Sequence, residues 1–216
     1  MTVRVKICGL TDRSDLMGAI TAGADAVGVI ADVPVDTPRA VPVETAATLV
    51  AAVPPLTTSV LVTMADDAAD ALDLVDQVDP NVIQLHGGLP PTELAAVAKA
   101  IPTIAAYDID AEDAIQAAGD HADAILLDST DADGAGGTGR THDWALARSY
   151  VERLDVPVIL AGGLHPENVA DAVRTVEPYA VDVASGVADP SNPARKDFDA
   201  VHRFIARARS SPEVNA

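Results

Sequence analysis

The sequence predicts an α/β protein folded as a single-domain (β/α)8 barrel (TIM barrel). Two observations carry this prediction: short apolar segments recur along the 216 residues, and alanine-rich segments with helical spacing separate them. Because the apolar runs are continuous rather than alternating, we expect strands buried on both faces, as in a parallel sheet with helical crossovers. Eight such strands in a chain of this length favour a closed barrel.

The predicted strands are rich in Val, Ile, Leu and Ala, and most end next to a polar residue or a glycine. In chain order they read VRVKIC (3–8), DAVGVIA (25–31), TTSVLVT (57–63), NVIQLH (81–86), PTIAAY (102–107), DAILLD (123–128), VPVILA (156–161) and YAVDVA (179–184). An open doubly wound sheet is the main alternative. It is weakened because no GxGxxG turn follows any strand.

Helical periodicity is clearest in four of the segments between the strands. They read VETAATLVAAV (43–53), PTELAAVAKAI (91–101), HDWALARSYVERL (142–154) and HPENVADAVRTV (165–176). No low-complexity linker or change of composition marks a domain boundary. We therefore expect one domain over residues 1–210, with residues 211–216 as a disordered tail.

The charge balance excludes several classes of function. The chain carries 14 Lys and Arg against 33 Asp and Glu, a net charge of −19 that repels nucleic acid and anionic membranes. No apolar run reaches the length of about 18 residues that a membrane-spanning helix needs. The N-terminal residues lack the pattern of a signal peptide, and the single cysteine excludes an intramolecular disulfide, so we expect a cytoplasmic protein.

The unusual residue types converge on one end of the predicted barrel. Cys8, His86 and Asp128 close the first, fourth and sixth strands, and glycine-containing loops follow the seventh and eighth. In (β/α)8 enzymes the chemistry lies at the carboxyl ends of the strands. The sequence therefore predicts one site at this rim.

The loops after strands seven and eight are candidates for binding phosphate. Gly162 and Gly163 lie in the first loop, and Ser185 and Gly186 in the second. Glycine lets backbone N–H groups approach an anion closely, and barrels frequently bind phosphate at these two loops. Tight turns alone would also explain either pair.

Taken together, the motifs resemble the phosphoribosylanthranilate isomerase family. The matching segments are KICGLT (6–11), GADAVGVI (23–30), TPR (37–39), QLHG (84–87), LLD (126–128), GGTGRTHDW (136–144), LAGGLHPENV (160–169), VDVASGV (181–187) and KDF (196–198). They run in order over nearly the whole chain. With its acidic, lysine-poor composition, the chain resembles a version from a salt-loving archaeon.

The resemblance implies a reaction and a set of roles. The reaction is the Amadori rearrangement of N-(5-phosphoribosyl)anthranilate to 1-(2-carboxyphenylamino)-1-deoxyribulose 5-phosphate, in tryptophan biosynthesis. It implies Cys8 as general base, Asp128 as general acid and Arg39 as the contact for the anthranilate carboxylate. No cofactor and no metal are expected. The partner is a small phosphorylated substrate, and the chain is expected to be a monomer or a homodimer.

Each assigned residue also has a structural interpretation. Cys8 could be a small buried hydrophobe and Asp128 a helix cap, while Arg39 could pair only with Asp32 or Asp36. His86 could contact ligand or be satisfied by its own loop.

The segment GAGGTGR (134–140), which contains Gly137 and Gly139, resembles a loop that closes over substrate, or it is a flexible tip. Another phosphate-binding barrel enzyme or a non-catalytic phosphometabolite-binding barrel remains the alternative function. Both alternatives would keep the glycine loops, but neither needs Cys8 together with Asp128.

The acidic composition predicts adaptation to high salt. Because mobile ions screen repulsion between surface carboxylates, the folded state should be stabilised as KCl is added. Circular dichroism and activity measured over a KCl titration check this expectation. A fold that is fully stable and active in low salt would contradict it.

Overall fold

Eight parallel strands form the closed barrel that the sequence predicts. In the computed structural model, which describes residues 2–128 and 144–210, each strand pairs with the next and β8 pairs back to β1. The strands are β1 (Arg4–Ile7), β2 (Ala26–Ile30), β3 (Thr58–Thr63), β4 (Val82–Leu85), β5 (Thr103–Asp108), β6 (Ala124–Asp128), β7 (Val158–Leu160) and β8 (Ala180–Val183). These strands match the predicted ones in number and order, but most are one or two residues shorter than predicted.

Helices follow the strands and form the outer layer of the barrel. They are α1 (Arg13–Thr21), α2 (Val43–Val50), α3 (Ala68–Val78), α4 (Pro91–Ala98), α5 (Glu112–Gly119), α6 (Trp144–Arg153), α7 (Val169–Val176) and α8 (Phe198–Ala208). Three begin at an aspartate whose carboxylate accepts a backbone N–H of the first turn, namely Asp12, Asp67 and Asp197. In the described part of the chain, no helix is both long and apolar enough to cross a membrane.

The core has two parts, as a barrel requires. A large outer cluster fills the space between strands and helices, and Phe204 of α8 and Tyr150 of α6 are among its largest side chains. A smaller inner cluster fills the barrel with Val60, Val62, Leu126 and neighbouring small residues. Because both faces of each strand are buried, the strands read as continuous apolar runs.

The inner face changes character towards the carboxyl ends of the strands. Lys6, Gln84 and Asp182 are buried there, although they lie within otherwise apolar strands. Lys6 and Asp182 are partners in the register between β1 and β8. A polar layer therefore lies on top of the apolar filling of the barrel.

An element that the sequence does not predict follows β8. The chain forms a short 3₁₀ helix (Ser185–Val187) and then an antiparallel hairpin of β9 (Ala188–Asp189) and β10 (Asn192–Lys196). Asp15 of α1, 1% exposed, binds this hairpin: its carboxylate accepts two hydrogen bonds from the Arg195 guanidinium and one from the backbone N–H of Lys196. The hairpin is thus attached to the helix that follows the first strand.

The extent of the domain stays a prediction. Residues 211–216, expected to form a disordered tail, lie outside the described residues, as do Met1 and residues 129–143. Gly137 and Gly139 belong to the latter segment.

Replacing Asp15 by Ala should destabilise the protein and release the hairpin. The change leaves the buried backbone N–H of Lys196 without its acceptor and removes two hydrogen bonds of Arg195, which keeps only its ion pair with Asp12; together this costs about 2–4 kcal/mol. Urea unfolding at constant high KCl measures the loss. Asp171→Ala removes an exposed partner of Arg174 and serves as the control, with a much smaller effect expected. Equal unfolding midpoints for the two variants would contradict the role of Asp15.

Candidate active site

A cavity of about 690 Å³ opens at the carboxyl ends of the strands and collects most of the predicted site residues. Those that line it are Cys8, Arg39, His86, Asp128, Gly162, Gly163 and Ser185. Gly186 adjoins it in the chain without lining it, and Gly137 and Gly139 lie outside the described residues. Residues from strands far apart in sequence therefore meet at one rim.

Cys8 is held immediately beyond β1. Its backbone N–H donates to the carbonyl of Val183 at 2.8 Å, and its side chain is in the inner cluster while also lining the cavity. Gly28 of β2 makes room for it, because a Cβ atom at that position would lie 2.8 Å from the Cys8 sulfur. The thiol is thus tightly placed, both in the apolar inner cluster and at the wall of the cavity.

A thiol that acts as a base near neutral pH is expected to have a lowered pKa, but the surroundings of Cys8 raise its pKa. Burial raises the pKa of the Cys8 thiol, while the nearby ammonium groups of Lys6 and Lys196 lower it and Asp182 raises it again. The net result is a pKa above the ordinary value. Burial raises the pKa because desolvation disfavours the thiolate, and this effect is larger than the lowering by the two lysines.

Lys6 and Asp182 form a buried ion pair beside the thiol. The ammonium nitrogen lies 2.7 Å from one carboxylate oxygen, and the two side chains are 4% and 8% exposed. Although burial lowers the pKa of Lys6, the charges of Asp182 and Cys8 raise it more. Among the described residues, the second oxygen of Asp182, Oδ1, is buried and has no hydrogen-bond partner.

His86 pairs with a side chain that the sequence analysis missed. The amide N–H of Gln84, two residues earlier in the chain, donates to Nε2 of His86 at 2.7 Å. Burial and the charge of Lys6 lower the pKa of His86 to about 4, so the imidazole is neutral near pH 7. The other amide atom of Gln84, Oε1, is buried without a partner. In the sequence, the only indication that Gln84 belongs to the site is that it is a single polar residue inside the apolar run NVIQLH (81–86).

Arg39 reaches the cavity from the loop between β2 and α2. Its aliphatic stem packs over Gly9, where a Cβ atom would lie 2.7 Å from Cδ of the arginine. In the described part of the chain, the guanidinium forms no ion pair with Asp32 or Asp36, and its Nε is buried without a partner. The arginine therefore keeps donor capacity at the cavity wall.

The two glycine loops pack against each other. Gly162 and Gly163 both have positive φ values, 76° and 59°. A Cβ atom on Gly186 would meet the carbonyl oxygen of Leu164 at 1.9 Å, so only glycine permits this approach. Asn168 braces the first loop by accepting from the N–H of His165 and donating to the carbonyl of Gly163. Gly186 thus joins the loops, while Gly162, Gly163 and Ser185 form the wall.

Asp128 lies at the carboxyl end of β6, opposite Asp108 in the register with β5. It is partly exposed and lines the same cavity as Cys8, which comes from the opposite part of the strand order. A carboxyl group and a thiol therefore face one cavity from different strands. This is the arrangement expected of a proton-transfer site.

The closed barrel and this rim cavity define a (β/α)8-barrel enzyme with its site at the carboxyl ends of the strands. The family model for N-(5'phosphoribosyl)anthranilate (PRA) isomerase matches residues 5–207. The chain belongs to the N-(5'-phosphoribosyl)anthranilate isomerase family, as the sequence motifs predict.

Curated relatives agree with this assignment. The chain is 54% identical to the isomerase of Haloarcula marismortui over 97% of its own length and 98% of the relative's. It is 55% identical to that of Halobacterium salinarum, with 97% of each chain covered. Both organisms are haloarchaea, which supports the prediction of adaptation to high salt.

Solved structures give the same result. Phosphoribosyl anthranilate isomerase from Thermotoga maritima matches with a TM-score of 0.84 and 37% identity, covering 95% of this chain and 98% of that one. A second isomerase structure, in complex with reduced 1-(o-carboxyphenylamino)-1-deoxyribulose 5-phosphate, matches with a TM-score of 0.80, 35% identity and the same coverage. Thiamine phosphate pyrophosphorylase from Pyrococcus furiosus, at 20% identity and a TM-score of 0.67, shares the fold alone.

Replacing Gly28 by Ala should disturb the site more than the fold. The added methyl group would lie 2.8 Å from the Cys8 sulfur and 3.1 Å from Cε of Lys6, so both side chains must move. A misplacement of about 1 Å can lower turnover on the order of 100-fold. Steady-state kinetics together with thermal unfolding measure the two effects.

Gly119→Ala in α5 is the matched control, because its new methyl group would meet only the end of the Leu154 side chain, at 3.2 Å. Turnover of Gly28→Ala equal to that of the control would show that Gly28 does not position the site.

Proposed function

We propose that the rim cavity carries out the isomerisation of N-(5-phosphoribosyl)anthranilate to 1-(2-carboxyphenylamino)-1-deoxyribulose 5-phosphate, with Cys8 and Asp128 as the proton-transfer groups. The isomerase activity itself follows from membership of the family and from the close relatives that span nearly the whole chain. One observation supports the assignment of roles above all: Cys8, Arg39, Asp128 and both glycine loops line a single cavity.

The phosphate of the substrate would bind at the two packed loops. Gly162 and Gly163 bring backbone close to the cavity, and Ser185 adds a hydroxyl. A chain of net charge −19 repels an anionic substrate at long range, so binding must rely on such local donors. The brace from Asn168 keeps the first loop in its binding conformation.

The anthranilate carboxylate would bind at Arg39. The guanidinium lies at the cavity wall with a buried Nε that has no protein acceptor. Burying such a donor without a partner is unfavourable, and a carboxylate satisfies it with a charge-assisted hydrogen bond. The long axis of the substrate would thus run from Arg39 to the glycine loops.

The ribose portion would lie between these ends, above the polar layer. Oδ1 of Asp182 and Oε1 of Gln84 are buried acceptors without protein partners, and both residues line the cavity. Sugar hydroxyls are donors of suitable chemistry for both. This subsite is part of the proposal and was not evident from the sequence.

The reaction then needs a proton delivered to the ring oxygen and a proton removed from C2. Asp128 donates a proton to the ring oxygen as the C1–O bond breaks, which leaves a protonated Schiff base at C1. The Cys8 thiolate removes the proton from C2, and the electrons of that bond form the C1=C2 enolamine. Protonation at C1 and loss of the C2 hydroxyl proton then give the ketone. C2 is oxidised as C1 is reduced within the same molecule, so no external oxidant or reductant is needed.

Location and assembly complete the proposal. A single free cysteine fits a reducing compartment, and we infer a cytoplasmic enzyme of tryptophan biosynthesis. The acidic chain is expected to bind neither nucleic acid nor anionic membrane surfaces. We propose a monomer or a homodimer. One solved relative is described as a monomer generated from a dimeric enzyme of Thermotoga maritima, so the family contains at least one dimer.

Cys8→Ala and Asp128→Asn should each lower turnover by on the order of 10²–10⁴-fold, because each removes one proton-transfer group. Loss of fluorescence of freshly prepared phosphoribosylanthranilate in high salt gives the rate. Affinity for the substrate should change much less than the rate.

Asp108→Asn provides the matched control, since it changes a carboxylate at the same level of the neighbouring strand, which does not line this cavity. Unaffected turnover in Cys8→Ala or Asp128→Asn would refute the corresponding role.

A further inference from the structure

Lys196 is a buried cation at the edge of the site that the proposed reaction leaves without a role. It is the last residue of β10 and is 5% exposed. Its ammonium group donates to the carbonyl of Ala184 at 2.8 Å, and its backbone N–H donates to Asp15. Burying a lysine is costly unless its charge is used or paired.

Lys196 and Cys8 are held by consecutive carbonyls of one strand end. The N–H of Cys8 binds the carbonyl of Val183, and the ammonium of Lys196 binds the next carbonyl, that of Ala184. The end of β8 therefore brings the two residues together, although they lie 188 positions apart in the sequence. Their charges interact: Lys196 lowers the pKa of Cys8, and Cys8 raises that of Lys196.

The two lysines near the thiol are not equivalent. Lys6 lies 2.7 Å from the carboxylate of Asp182, so its charge is largely balanced within the pair. The ammonium of Lys196 binds a neutral carbonyl and forms no ion pair among the described residues, although Asp182 and Asp15 of α1 both act on it. Lys196 therefore supplies a second positive charge, which adds to the larger effect of Lys6 on the thiol.

The groups that face this pair come from every surrounding element. Cys8 faces Lys6 on its own strand, Asp182 on β8 and Lys196 on β10. Lys196 also faces Arg39 and, more weakly, Asp182 and Asp15. Burial, with a contribution from Arg39, lowers the pKa of Lys196 to about 8, so most of it is charged at neutral pH.

We propose that Lys196 is a positioning residue whose ammonium group stabilises the Cys8 thiolate, with Asp15 and the β9–β10 hairpin holding it in place. The proposal deepens the assigned role of Cys8 and rests on it. Lys6 holds Asp182 in the polar layer and adds its own charge beside the thiol. The hairpin that follows β8 thereby contributes to a proton transfer at the end of β1.

The sole cysteine allows a direct test in the full-length protein without substrate. Because every alkylated thiol is Cys8, the pH dependence of iodoacetamide modification reports the apparent pKa of that one group. In Lys196→Met the apparent pKa should rise by about one pH unit, and alkylation near neutral pH should slow about tenfold. Turnover should fall with little change in KM.

Two further variants separate charge from structure. Arg195→Met loosens the same hairpin but leaves the ammonium, so its alkylation profile should match the wild type. Lys196→Arg keeps a positive charge and should keep a thiol pKa at or below the wild-type value. It also keeps the proposal testable if Lys196→Met fails to fold by circular dichroism.

An unchanged alkylation profile in folded Lys196→Met, or a raised thiol pKa in Lys196→Arg, would overturn the proposal. Either result is independent of catalysis. Full turnover in Cys8→Ala would instead refute the role of Cys8 in the isomerisation, while leaving the effect of Lys196 on the thiol measurable.

Discussion

The pairing of β1 with β8 is the constraint on which the site depends. It closes the barrel, places Lys6 level with Asp182 and lets the carbonyl of Val183 accept the N–H of Cys8. A shift of β1 by one residue in this register would turn Lys6 from the inner face to the outer layer and separate it from Asp182. The buried ion pair and the closure of the sheet therefore support each other. Much of the polar layer therefore depends on the pairing of β1 with β8.

The barrel and the positions of the acid and the thiol could be predicted from the sequence, because both depend on local patterns. Apolar runs such as AILL (124–127) identify strands, and the residues that end them, Cys8 and Asp128, must then lie at one rim. The β9–β10 hairpin could not be predicted. Its residues are mostly polar or Pro, and what orders it is the carboxylate of Asp15, about 180 positions away.

The balance of charges around the Cys8 thiol could not be predicted from the sequence either. A thiol that acts as a base needs a nearby cation, and the structure supplies two, but burial still raises the pKa of the thiol. Gln84 was missed because a single polar residue in a strand gives no indication of which face it occupies until the register is known. Gly186 was predicted to bind phosphate, but in the structure it makes room for a backbone carbonyl. Gly28, which makes room for the thiol, was not predicted as a site residue.

Burial of Cys8 also bears on how the enzyme survives oxidants. Peroxides attack the thiolate, and oxidation of an accessible low-pKa cysteine leads through sulfenic acid to irreversible products. With a pKa above its ordinary value and 5% of its surface exposed, Cys8 rests mainly as the less reactive thiol. No second cysteine exists in the chain to form a disulfide that could rescue a sulfenic acid. Keeping the base protonated between turnovers therefore protects the one atom whose oxidation the chain cannot reverse by itself.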